Sequence, residues 1–383
     1  MASPVTDSPL RVGFLIDRWN PQRGGAEQAL CAFAAWLERR GYEVFAFGLE
    51  GPPQSVAAPG TFVPVRARGL TRSVRERRLA HAMTTAAAAA GCKLTVGVRH
   101  LSEVDLYWPH GGAHLATLRS LGKRASGRHR TFLELERAAL EGAGARCVVC
   151  VSEMVRQEFL SAYPKSAARL TLIPNGVDTA HFKLEARPDA RRELRTMAGA
   201  LENEPVLTFV GRNAKLKGLP LLLEALSLLQ DRPWRLVVAG PKDAAHWSRI
   251  ASKSIAGSNR IQIASHLDSL LLAAGSDLLI LPSRRDPCGL VVLEALACGT
   301  PVLISSAVGA KELINDPEQG TVFGQNTGAP ELARLIAIQL DRIESGECDH
   351  GRVAATLLGR DKESWMSSME QQLLDLAGTQ RVT

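Results

Sequence analysis

The chain predicts an α/β protein of two doubly wound parallel-sheet domains, on three observations. Its 383 residues, at ~150 per domain, suit two domains rather than one. Apolar runs of strand length alternate with helical patterns along most of the sequence, the arrangement that builds parallel sheets covered on both faces. The alternation lapses between Pro174-Asn175-Gly176 and Pro188, where turn formers gather. With 45% hydrophobic and 22% charged residues, the composition is that of a globular protein and excludes disorder, collagen-like repeats and a disulfide-stapled miniprotein.

Periodicity gives the elements in order. Arg11–Ile16 reads as a strand, Gly25–Arg39 as a helix, Glu43–Gly48 as a strand and the Ala-rich run Arg75–Ala90 as a helix. Further strands follow at Leu94–Val98, Arg146–Val151, Leu170–Ile173, Val206–Gly211, Arg235–Ala239, Leu278–Leu281 and Val302–Ile304, with helices between several of them. A charged helix, Asp189–Leu194, precedes the strand at Val206, and Glu363–Leu376 closes the chain as a helix. The expected domains are 1–185 and 186–361. In such sheets ligands sit outside the carboxyl ends of the strands, so the loops after strands are where chemistry is expected.

The N-terminus, Met1 to Asp7, has no basic segment, and the apolar run Val12–Ile16 ends at Asp17, too short for a secretory signal. The apolar regions Leu270–Pro282 and Gly289–Ile304 are broken by Asp277 and Glu294, so no membrane span is expected. A cytoplasmic protein is the expectation. Seven cysteines, an odd and scattered set, read as reduced thiols. Cys147 and Cys150 have the CxxC spacing but lie in an expected buried strand, where residues three apart face opposite sides and do not chelate one ion.

Charge is uneven. Residues 1–185 hold 24 Lys+Arg against 16 Asp+Glu, a net +8, while the rest hold 22 against 23, a net −1. The excess concentrates in Arg66–Arg78 and Arg119–Arg130. Both segments read either as solvated faces or as attraction to an anionic lipid surface or a phosphorylated acceptor. Aromatics scarcely interleave with these arginines, which argues against nucleic acid.

Three loops carry candidate chemistry. Gly24-Gly25-Ala26-Glu27 places a double glycine before a helix, so that backbone amides can approach an anion; it lacks the full dinucleotide fingerprint, which discounts NAD. After the strand Val206–Val210 comes Gly211-Arg212-Asn213-Ala214-Lys215-Leu216-Lys217-Gly218, in which Arg212 and Lys217 flank the start of a helix and can grip a diphosphate from two sides; a solvated basic loop is the alternative. The most informative run is Pro282 to Val302. A strand ends in Asp286-Pro287-Cys288-Gly289, and a short helix follows with Leu290 and Glu294 on one face. A carboxylate in so apolar a helix is costly without a partner, so Glu294 is poised to accept hydrogen bonds from ligand hydroxyls, while the amides of Gly289 and Leu290 hold negative charge.

The run Asp286–Val302 resembles the signature of retaining family 4 glycosyltransferases of GT-B fold, in which an acid, seven intervening residues and a Glu bind the nucleotide sugar. Glu294 matches the second acid; Asp286 stands where the family usually has Glu, and Cys288 where it usually has an aromatic. Gly211-Arg212 to Lys217-Gly218 is similar to the family's phosphate-gripping segment, Gly24 to Glu27 to its first loop, and Ile173 to Asp178 to its domain junction. Tyr107-Trp108-Pro109-His110-Gly111-Gly112 with His114, the basic stretch after it and Leu133-Glu134-Leu135-Glu136-Arg137 resemble bacterial lipopolysaccharide-core glucosyltransferases.

The resemblance implies two Rossmann-like domains facing a central cleft. The N-terminal one takes the acceptor and reclaims the C-terminal helix, about 362–383; the other takes the nucleotide sugar. It also implies transfer of a sugar from a nucleoside diphosphate to a hydroxyl with retention, UDP-glucose being the expected donor and a lipopolysaccharide-core, glycolipid or other cell-envelope glycan the acceptor. Arg212, Lys217, His110 and Asp286 are the expected catalytic residues. Gly24, Gly25, Cys288, Gly289, Leu290 and Glu294 are expected at the donor. His110 is expected beside the donor sugar, and His114 either shares its face or is structural. No metal and no cofactor is expected, since Arg212, Lys217 and the helix amides would carry the leaving diphosphate. A nucleotide-sugar epimerase, or a non-catalytic nucleotide-sugar-binding subunit, is the alternative.

Overall fold

The computed structural model describes residues 9–22, 24–142, 144–255 and 258–378. Met1–Ser8, on which the expectation about a leader rests, and 379–383, the tip of the expected last helix, lie outside the described residues. The chain divides into two compact units: residues up to Pro174 together with those from Trp365, and Asn175–Ser364. The division therefore falls eleven residues before the expected 185. The reason is burial: Val177 and Phe182 belong to an apolar core of the second unit, so the turn-rich junction folds with the residues C-terminal to it.

The first unit runs β1 (Arg11–Leu15), α1 (Gly25–Arg39), β2 (Glu43–Gly48), β3 (Thr61–Pro64), α2 (Arg72–Ala89), β4 (Leu94–Gly97), β5 (Val104–Tyr107), α3 (His114–Ser120), α4 (Arg128–Glu141), β6 (Ala145–Cys150), α5 (Glu153–Ala162) and β7 (Leu170–Leu172). The second runs α6 (Arg187–Ala198), β8 (Val206–Val210), α7 (Leu219–Ser227), β9 (Arg235–Ala239), α8 (Ala244–Ser254), β10 (Ile261–Ala264), α9 (Ser269–Gly275), β11 (Leu278–Leu281), α10 (Leu290–Ala297), β12 (Val302–Ser305), β13 (Gly320–Phe323), α11 (Ala329–Glu344) and α12 (His350–Ala355). The final helix, α13 (Lys362–Gly378), groups with the first unit from Trp365 onward.

Both sheets are parallel throughout. Their strand orders are β3-β2-β1-β4-β5-β6-β7 and β10-β9-β8-β11-β12-β13. Each chain path winds outward from one central strand and returns to its other side, which creates a switch point between β1 and β4 in one sheet and between β8 and β11 in the other. Alternation along the strands shows why both faces are covered. Leu278 and Ile280 of β11 join one core with α7 and α11, whereas Leu279 and Leu281 join a second core with α10.

Candidate functional site

The β8/β11 switch point is where the second unit's two candidate loops meet. β8 ends at Val210, and the following loop turns tightly: the Leu216 N–H donates to Asn213 Oδ1 at 3.2 Å, and Lys217 N–H to the Asn213 carbonyl at 2.9 Å. Gly218 then opens α7 at φ +87°, with any Cβ falling 1.9 Å from the Pro282 carbonyl oxygen, so no other residue fits there. The loop after β11 answers it: Arg284 N–H donates to the Leu216 carbonyl at 2.9 Å. Two segments distant in sequence are thus welded backbone to backbone, with Arg212 exposed at the rim.

Two of the expected catalytic side chains meet in this weld. Lys217 Nζ pairs with Asp286 Oδ2, and Asp286 Oδ1 accepts the Gly289 N–H at 3.0 Å. Gly289, at φ +77°, caps the amino end of α10, where a Cβ would meet Val308 at 2.6 Å. In α10, Val292, Leu293, Ala295, Leu296 and Ala297 are buried, leaving Leu290, Val291 and Glu294 as its partly open edge. Among the described residues no hydrogen bond reaches the Glu294 carboxylate, and burial pushes its pKa up to about 7. Cys288, partly exposed in the turn, is likewise held protonated by burial, with Asp286 adding to the effect. A half-desolvated acid near the amino end of α10 can accept ligand hydroxyls, while Lys217 and the α10 amides beyond Gly289, whose own N–H is taken by Asp286, can hold negative charge.

The remaining candidates lie in the first unit, at the carboxyl ends of its strands. Gly24 and Gly25 are exposed at the amino end of α1; Gly24 is extended, with φ 178°, so the glycine here serves access rather than a left-handed turn. His110 follows β5, its ring 4.2 Å from that of Trp108, and its Nε2 has no partner among the described residues. Burial lowers its pKa to about 3, which keeps the imidazole neutral. His114 stands four residues on, at the start of α3. Its backbone N–H donates to Glu136 at 3.1 Å, and its ring Nε2 lies 3.1 Å from His129 Nδ1.

Glu136 is a residue that the sequence left without a role of its own. Fully buried on α4, it also accepts the Tyr163 hydroxyl at 2.8 Å, and so pins the loop that carries His110. Its helix is charged throughout, with Arg128, Arg130, Glu134, Arg137 and Glu141, so nothing local set this Glu apart from its solvated neighbours in the way that the apolar α10 exposed Glu294. Among the described residues no group of three or more His, Cys, Asp or Glu is placed to hold a metal ion. No described helix is long and apolar enough to cross a membrane.

The fold is that of two Rossmann-like parallel-sheet units, the GT-B architecture, and the comparisons give the class of enzyme as a glycosyltransferase. Residues 23–181 match the model described as Glycosyltransferase Family 4, and residues 190–344 match that of Glycosyl transferases group 1. The chain belongs to the family 4 glycosyltransferases, akin to those of the lipopolysaccharide core. It is 28% identical over 350 residues to a D-inositol 3-phosphate glycosyltransferase of Kineococcus radiotolerans, covering 80% of this chain and 78% of the relative. To the lipopolysaccharide glucosyltransferase WaaG of Escherichia coli it is 25% identical over 247 residues, 63% of this chain and 66% of the relative. A crystal structure of WaaG superposes with a TM-score of 0.82 at 20% identity, over 96% of this chain and all of that one. Anabaena HepE in complex with UDP-glucose superposes at 0.73 and 20% identity, over 96% of this chain and 100% of that one.

Proposed function

We propose that the chain moves a hexose, glucose from UDP-glucose in the first instance, with retention to a hydroxyl of a lipopolysaccharide-core, glycolipid or other cell-envelope glycan. One observation carries the donor half of this reading: the weld at the β8/β11 switch point sets Lys217 beside the amino end of α10, next to a carboxylate with no hydrogen-bond partner among the described residues. A nucleoside diphosphate sugar brings hydroxyls for Glu294 and a polyanion that Lys217 binds alongside its partner Asp286. Arg212, Lys217 and the amides near Gly289 then stabilise the charge on the departing diphosphate, each donor being worth ~3 kcal/mol, without a metal ion or cofactor. His110 keeps the role that the family resemblance gives it, beside the sugar. Glucose is favoured by the name of the WaaG relative; a GDP-mannose-dependent mannosyltransferase of Mycolicibacterium smegmatis, 31% identical over 246 residues, makes GDP-mannose the first competitor.

The basic segments of the first unit favour an anionic acceptor or the inner face of the cytoplasmic membrane. A cytoplasmic protein, peripheral on that surface, is the corresponding location.

The test is a panel of UDP-, GDP- and ADP-sugars incubated with the purified protein, with excess chelator in a parallel series and Arg212→Ala as the control. Slow hydrolysis or transfer from one donor, unchanged by chelator and lost by at least about 100-fold in Arg212→Ala, is expected. Turnover of Arg212→Ala at the wild-type rate overturns the assignment of the diphosphate grip.

A further inference from the structure

The resemblance sends the Asp286 side chain to the donor's hydroxyls, yet in the fold it turns inward. Every polar group of Asp286 is engaged by the protein. Its N–H donates to the Ala307 carbonyl at 2.8 Å and its carbonyl accepts the Gly309 N–H at 2.8 Å. One carboxylate oxygen accepts the Gly289 N–H at 3.0 Å, and the other holds the Lys217 ammonium. Only 8% of the residue is exposed.

We propose that Asp286 is a positioning residue that acts through Lys217, and that it does not itself bind the sugar; this rests on the donor-binding reading above. The chemistry of the side chain favours it. Asp286 stands three residues before Gly289, and its short arm reaches that amide while keeping an oxygen for Lys217. One more methylene, the difference to Glu, would carry the carboxylate ~1.5 Å further and out of this double contact. Lys217 is a point charge on a flexible four-carbon stem, which loses much rotamer freedom when it grips a ligand. Held by Asp286 within a carboxylate's width of Gly289, the ammonium is ordered before the diphosphate arrives, so less is lost on binding. The departure from the family's Glu then exchanges reach toward the sugar for a fixed cation.

The experiment is a double-mutant cycle read by calorimetric binding. Asp286→Asn keeps an oxygen for the Gly289 amide but loses the charge; Lys217→Met keeps the stem. Wild type, both single variants and the double variant are titrated with UDP and UDP-glucose, and with the GDP-mannose and ADP-glucose pairs. Asp286→Asn is expected to weaken the bare nucleoside diphosphate and its sugar conjugate alike, by about tenfold, and to change neither by more than about twofold once Lys217 is Met. A loss confined to the sugar conjugate, or one that persists undiminished in the Lys217→Met background, makes Asp286 a direct sugar ligand and overturns the proposal. Should Asp286→Asn fail to fold, Asp286→Glu answers the same question: weaker binding of the bare diphosphate supports positioning, and tighter binding of the conjugate alone refutes it. If the wild type binds none of the three nucleotides, the donor reading falls and this inference with it. Binding without coupling removes only the inference.

Discussion

Glu294 is a carboxylate that the fold makes costly. It stands on a helix of otherwise apolar residues, with no hydrogen bond to its side chain among the described residues, and burial lifts its pKa from 4.5 to about 7. Because the folded value lies above the unfolded one, the contribution to stability is present below about pH 4.5 and is lost as pH rises through about 7. Above that range the folded state carries a desolvated anion, a penalty on the order of 3 kcal/mol at most, since one pKa unit is ~1.4 kcal/mol. Glu294→Gln removes the titration. The variant is therefore expected to melt higher than wild type at pH 8, with the gap narrowing toward pH 5, while losing donor affinity. Parallel melting curves across that range would show that the acid is solvated in the fold. A gain in stability with a loss of binding would identify Glu294 as a residue retained for its ligand.

At the scale of elements, the site depends on two loops held by backbone contacts. The decisive position is Gly218, where a side chain has no room and the backbone is left-handed. Gly218→Ala is expected to push Pro282 away, to part the Lys217 and Asp286 loops, and to lower the melting temperature by several degrees, about 2 kcal/mol or more. Nucleoside diphosphate affinity should fall with it; an unchanged affinity would mean that the loops grip the ligand independently.

The glycines and cations of this weld were legible in the sequence, as was the α10 helix, because unbroken apolar runs, turn formers and charges act locally. The contact between them was not, since Lys217 and Asp286 lie 69 residues apart and only the strand order brings them together. The same limit hid four strands. β3, β10 and β13 are sheet edges, whose half-exposed residues lack a continuous apolar run. β5 is interrupted by Asp105, a buried acid satisfied by Thr95 N–H at 2.9 Å and Thr95 Oγ1 at 2.8 Å.

Over the whole molecule, moving the boundary to Pro174 and giving the C-terminal helix to the first unit leaves the charge division as it was. The first unit holds 24 basic and 16 acidic residues, the second 22 and 23. The fold adds that the two basic segments are neighbours. Buried Glu76 on α2 binds Arg99 at 2.5 Å and Arg128, at the start of α4, at 2.9 Å. That joins the segment 66–78 to the segment 119–130.

Within the joined surface the cations are not equivalent. Arg77 pairs with Glu134, and Arg78 donates to the Arg68 carbonyl at 3.1 Å. Arg66, Arg72 and Arg75 are exposed and have no side-chain partner among the described residues, and Leu70 beside them is fully exposed. An arginine paired with a carboxylate has part of its charge cancelled, so these three, together with the equally exposed Arg68, Arg119, Lys123, Arg124 and Arg130, carry the attraction to an anionic surface. Changing Arg66, Arg72 and Arg75 to Gln removes ~1 kcal/mol of attraction each, and so should weaken sedimentation with vesicles of equal phosphatidylglycerol and phosphatidylcholine by about 100-fold at low salt. Melting temperature and nucleoside diphosphate affinity should not change, because none of the three belongs to the second unit or to a buried contact. Salt should abolish the wild-type binding over the same range in which it shortens the Debye length. If wild type and variant sediment equally, the excess of base in the first unit is a solvated surface, and attraction of the acceptor must be sought elsewhere.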